Sequence, residues 1–165
     1  MELFQPAYIS LEKLACEKHS DATTHPDHLI SAMCNFDFLV TFHIINFSAS
    51  LLLPISKALQ SPTINILKCI AEIKILINLL TDSRSQVKFS DIYSSAIANA
   101  QYLSVREALP RYQIRLSGRE SGSINLEKWY FDNYYVLSVS ELVDQLETFF
   151  RAYATFFKTR AFNAP

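Results

Sequence analysis

The sequence predicts an all-α chain. Three observations carry this: apolar residues recur at three- and four-residue steps over long stretches, glycine occurs only twice, and apolar residues make up 50% of 165 positions. Two glycines are too few for a turn-rich sandwich or barrel. The apolar fraction is large enough to offset chain entropy, which excludes disorder. The expected architecture is an irregular bundle of four principal helices.

Residues 1–25 read as an irregular N-terminal segment, with a short helical piece at Leu11–Cys16 capped by Ser10. Pro26 suits the first turn of a helix. From there Leu29, Ile30, Met33, Phe36, Leu39, Val40, Ile44, Phe47 and Leu51 give helical periodicity, predicting one long helix over 26–60, kinked or broken near Pro54. Ser61-Pro62 repeats the cap-then-proline signal. Ile64, Leu67, Ile70, Leu76 and Leu80 then mark a second helix ending near Thr81–Ser83. A third helix, 88–104, follows Phe89, Ile92, Tyr93, Ala96, Ile97 and Ala100. Residues 105–124 contain Pro110, both glycines and four arginines, and read as a loop. Asn125 caps a last helix over 126–157, followed by a tail at 158–165. Residues 26–157 are thus taken together as one helical domain.

The balance of 15 basic and 16 acidic residues excludes nucleic-acid binding by bulk electrostatics. Gly118 and Gly122 alone cannot form a phosphate cradle. Three cysteines, Cys16, Cys34 and Cys69, are no disulfide framework and suit a reducing compartment. The start lacks the basic and apolar regions of a secretory signal.

Phe38 to Ile55 contains no charged residue and approaches the length of a membrane span. His43, Asn46, Thr41, Ser48, Ser50 and Pro54 favour a core helix buried all round. His43 itself reads as a core or partner-facing histidine.

Candidate chemistry is sparse. Cys16-x2-His19 and His25-x2-His28 are two pairs of zinc-type ligands, but they lack the clean spacing and intervening turn of a structural site. They read first as a polar segment, so no metal and no cofactor is expected. No serine occupies a nucleophile elbow, and the acidic residues read as caps or a wet face, so no catalytic residue is assigned. Arg106, Arg111, Arg115 and Arg119 with Tyr112 read first as a solvated loop, and second as a weak contact to a nucleic-acid backbone.

Several phrases resemble the helical insertion region of hAT-superfamily transposase-like proteins. They are Phe38-Leu39-Val40-Thr41, Leu53-Pro54-Ile55-Ser56-Lys57-Ala58-Leu59-Gln60-Ser61, and Ile64 to Cys69. The middle phrase is the most specific and is similar to that family's "LxPLSKxLQ". Pro110-Arg111 with Arg115, and Leu126 to Tyr130 through Val143 to Phe150, resemble later family segments. MYM-type zinc-finger proteins and repressors of the protein-kinase inhibitor are similar relatives. Lys13-Leu14 stands where the family has Arg-Trp.

The resemblance implies an incomplete piece of a larger ribonuclease-H-like protein. Its acidic triad, N-terminal zinc finger and C-terminal dimerisation segment do not map onto this chain. The implied function is a non-catalytic, transposase-derived fragment, vestigial or engaged in protein interaction. Its implied location is nuclear, and cytoplasmic otherwise; DNA contact would be weak or through the missing domains. The alternative is a small helical membrane-associated protein spanning through residues 38–55. The apolar central helix, with Phe149, Phe150, Tyr153, Phe156 and Phe157 of the last helix, exceeds what four helices can cover. A protein partner or self-association is therefore expected.

Overall fold

The computed structural model describes residues 4–16, 24–61, 66–110 and 125–162, with side chains described over 4–16, 27–61, 68–110 and 125–151. Every regular element among them is helical, as the sequence predicts. In chain order they are α1 (Phe4–Cys16), α2 (Thr24–Met33), α3 (Phe36–Leu59), α4 (Ile66–Ser83) and α5 (Gln86–Tyr102), then α6 (Leu126–Tyr130), a π-helical turn (Phe131–Tyr135) and α7 (Val136–Phe162). The last three follow one another without a break.

Helix α1 lies within the segment expected to be irregular and contains the short helical piece expected at Leu11–Cys16; it starts earlier, at Phe4, so Ser10 lies inside it and does not cap it. Phe4, Tyr8, Leu11 and Ala15 follow a four–three–four spacing and turn inward together, while the intervening positions are exposed. Pro6 lies in the first turn, where its missing N–H costs nothing, and its carbonyl accepts the Ser10 hydroxyl at 2.7 Å.

The helix expected over 26–60 is two helices. The break falls at Cys34-Asn35 and not at Pro54. Asn35 is the cause: its Oδ1 accepts the Asp37 N–H at 3.3 Å, and its carbonyl accepts the Leu39 N–H at 3.1 Å, so it caps α3. At Pro54 the backbone stays helical as far as Leu59. Between α4 and α5, the Ser85 hydroxyl caps the new helix by accepting the Lys88 N–H at 3.4 Å.

Helix α5 closes with Val105 N–H on the Ala100 carbonyl at 2.8 Å and Ser104 N–H on the Gln101 carbonyl at 3.1 Å. This is the paired pattern of a left-handed C-terminal cap. Ser104 sits at φ 55°, where glycine is usual. Residues 105–110 are non-helical, as expected for the start of the loop; 111–124 lie outside the described residues. Asn125 caps α6 as predicted, accepting the Lys128 N–H at 3.0 Å. Helix α7 continues to Phe162, past the expected start of the tail at 158.

The chain divides into two compact units, where the sequence pattern takes 26–157 together. One comprises Met1–Ile44 and Ser90–Trp129, the other Ile45–Phe89 and Tyr130–Pro165. The first unit buries Phe4, Phe36, Leu39, Val40, Ile92, Tyr93 and Ala96. Phe4 rests on Phe42, and Phe36 meets Tyr93 edge-on with ring centres 5.8 Å apart.

The second unit buries Ile73, Leu76, Leu80, Phe89, Tyr130, Tyr135, Val139 and Val143. Tyr130 and Tyr135 are five residues apart, which in a regular α-helix sets side chains roughly 140° apart. The π turn, with the Val136 N–H on the Phe131 carbonyl, widens the ladder so that both rings are buried. Tyr135 then contacts Phe89, Phe47 and Phe131, with ring centres 5.2, 6.2 and 6.1 Å away. Its hydroxyl donates to the Ser83 carbonyl at 2.9 Å. That carbonyl also accepts the Ser85 N–H at 2.6 Å. Burial pushes the Tyr135 hydroxyl pKa up.

Tyr135→Phe removes one buried bond without emptying the ring site. It should lower unfolding stability by about 1 kcal/mol, whereas Tyr135→Ala should cost about 3–5 kcal/mol. Urea unfolding of the three proteins measures the difference.

Candidate functional site

In the first unit a cleft of about 850 Å³ opens between the end of α2 and the segment after α5. His28, Ser31, Cys34 and Asn35 line one wall, and Ser104, Arg106 and Leu109 the other. Both walls exist because a helix stops there: Asn35 ends the α2 path and starts α3, and Ser104 turns the chain out of α5. The signal for the first wall was the Asn35 cap before an apolar run; the left-handed Ser104 has no sequence signal.

The Cys34 thiol lies on the cleft wall. It shares a hydrogen-bonded group with Tyr8 and Glu12. The Tyr8 hydroxyl is pushed up to about 12 by its bond to the Glu12 carboxylate first, then by burial and by Cys34. Tyr93 donates to Glu107 at 3.3 Å, and its hydroxyl is raised by burial first and then by that carboxylate. Both phenols therefore remain protonated donors. The cleft thus offers hydrogen-bonding groups and one guanidinium.

The first unit also holds a buried polar pair. His43 is 7% exposed and Asn99 2% exposed, and His43 Nε2 lies 2.9 Å from Asn99 Nδ2. The amide donates, so the imidazole is neutral and carries its proton on Nδ1. Burial holds its pKa below the ordinary value. His43 is thus a core residue.

The other sequence candidates do not converge. Cys16 is exposed at the end of α1 and His28 is exposed on α2. His19 lies outside the described residues, and only the backbone of His25 is described. Among the described residues no three His, Cys, Asp or Glu side chains gather as a metal site. Arg106 is exposed on the cleft wall; Arg111, Arg115 and Arg119 lie outside the described residues. In the second unit Phe149 is 51% exposed, whereas Phe150 is half-buried with Lys74 Nζ 5.9 Å from its ring centre. Tyr153, Phe156 and Phe157 belong to α7, and their side chains are not described.

The apolar surface lies elsewhere. Helix α3 is not buried all round, contrary to expectation. Its most apolar 18-residue window has a mean hydropathy of 1.8, yet only 28% of that window is buried. In the second unit Ile45 is 61%, Leu53 52% and Leu59 42% exposed. Ile45, Ala49, Leu52, Ser56 and Leu59 alternate steps of four and three residues, so one narrow stripe runs down this part of α3. Periodicity calculated for burial hides such a stripe, because the opposite face is apolar too.

No family model matches this chain, and neither a curated protein nor a solved structure matches it.

The neutral His43 gives a pH dependence. Its folded pKa lies below its unfolded value of about 6.5, so the unfolded chain binds more protons below that pH. The contribution is complete above about pH 6.5 and is lost as the pH falls towards the folded pKa. His43→Gln should flatten this part of the urea-midpoint profile between about pH 7.5 and 5, relative to wild type.

Proposed function

We propose that this chain is a non-catalytic protein-interaction module of hAT-like, transposase-derived type, which receives an apolar helix of a partner protein against α3. The four–three stripe of Ile45, Ala49, Leu52, Ser56 and Leu59, exposed at every position but half-buried Leu52, carries this reading. A seam of that spacing, with small Ala49 and Ser56 between larger residues, suits knobs-into-holes packing. Exposed apolar stripes of this kind mark partner sites on soluble domains. The most specific phrase of the hAT resemblance, Leu53 to Ser61, overlaps the lower half of the stripe. On the same resemblance the site of action is nuclear, and any DNA contact through the arginine-bearing loop is secondary.

A second reading has its own observation. Helix α3 is, among the described residues, the one helix long and apolar enough to cross a membrane. The buried His43–Asn99 pair and the polar Asn46, Ser48, Ser50 and Ser56 favour the protein partner.

Ile45→Glu and Leu59→Glu test the proposal, since both side chains lie exposed on the stripe and the fold should tolerate the change. Each should weaken capture of the cellular partner by roughly tenfold or more, with unchanged helical circular dichroism. Recovery of the wild-type chain in carbonate-washed membranes, with no protein partner sensitive to either substitution, would instead establish the membrane reading.

A further inference from the structure

Helix α4 carries a second exposed stripe that the core does not use. Cys69, Ile73, Leu76, Leu80 and Ser83 point into the second unit. At 100° per residue, Ala71, Ile75 and Leu79 lie on a different face. Ile75 is 58% exposed, Leu79 51%, and Ala71 is exposed as well. Lys68 stands at one end of this stripe with its side chain 74% exposed, and exposed Asp82 stands at the other.

The order of these residues is symmetric about Ile75. Ala71 and Leu79 are four positions to either side, and Lys68 and Asp82 are seven. Glu72 and Asn78 are three positions to either side and flank the stripe.

From this we infer that α4 pairs with α4 of a second copy of this chain, antiparallel and with Ile75 on the two-fold axis. The inference rests on the interaction-module reading and names one partner for it. An isologous interface needs a surface that complements itself after a half-turn. Here the half-turn sets Ala71 against Leu79, small against large, and Lys68 against Asp82, basic against acidic. A parallel pairing would set Lys68 against Lys68 and Asp82 against Asp82, so the charges select the antiparallel arrangement. Lys68 also reaches Glu72 of its own helix at 3.8 Å, which leaves its exposed ammonium able to serve both carboxylates. One helix pair lies near the lower bound of roughly 1,000 Å² that specific interfaces bury, so the dimer belongs in the micromolar range.

Sedimentation equilibrium of the purified full chain, with charge-reversal variants, tests this. Wild type should dimerise at roughly micromolar concentrations. Ile75→Glu should be monomeric with unchanged helical circular dichroism. Asp82→Lys should weaken the dimer by roughly tenfold, and adding Lys68→Glu should restore it. A wild-type chain that stays monomeric up to about 100 µM overturns the inference. So does a dimer indifferent to Ile75→Glu, or an Asp82→Lys defect that the second reversal fails to repair. Loss of dimerisation by Ile45→Glu with Ile75→Glu silent would place self-association on α3, preserving the interaction-module reading and refuting this one.

Discussion

The second unit depends on one buried phenol. Tyr135 is fully enclosed, and an enclosed hydroxyl must find a partner or forfeit its hydration. The partner is the Ser83 carbonyl in the last turn of α4, one of the acceptors that a helix end leaves without an intrahelical donor. That single bond ties the end of α4 to the helical rod that begins at α6. Regular α-helical geometry would send Tyr130 and Tyr135 in different directions. The π turn is the local deformation that lets both be buried, and Val139 and Val143 continue the core beyond it. Phe89, Phe47 and Phe131 fill the space around the Tyr135 ring, so the hydrogen bond and the aromatic packing support each other.

The first unit has a polar tie of its own. His43 of α3 and Asn99 of α5 satisfy each other where neither meets water. Truncating either would leave a buried polar group without its partner, which is costlier than the bond is worth. Around this pair the chain breaks its helices with side chains suited to the task. Asn35 supplies an acceptor to a helix start, and Ser104 accepts a left-handed backbone at the end of α5. With two glycines in the whole chain, neither of them at position 104, a serine carries that conformation.

The helical class and most helix positions were legible because apolar spacing is a direct record of which side is buried. The end of α4 near Ser83 was legible from where the apolar periodicity stops, and the start of α6 from its Asn125 cap. Only Leu11–Cys16 of helix α1 was legible, although Phe4, Tyr8, Leu11 and Ala15 carry the same spacing, because polar residues and Pro6 interrupt it. The break at Asn35 was outweighed by continuous apolar periodicity on both sides, while Pro54 drew attention to a place where the helix continues. The π turn has no signature beyond two aromatics five residues apart. The exposed seam of α3 was hidden for a different reason: a helix apolar on every side records no preference between a core face and a contact face.

The functional account follows from that last point. Phenols held protonated by neighbouring carboxylates and a histidine held neutral by burial are features of a stable scaffold. The apolar side chains that the scaffold leaves in water are concentrated on helix faces, and a second helix is the surface that best fills such seams. The most direct measurement is hydroxyl-radical footprinting of α3, comparing the purified chain with the chain in nuclear extract cleared of membranes. Interaction through α3 predicts that Ile45, Leu52 and Leu59 are labelled in the purified protein and protected in extract, while exposed Val87 is labelled in both. Equal labelling of the three α3 positions in the two samples would contradict it.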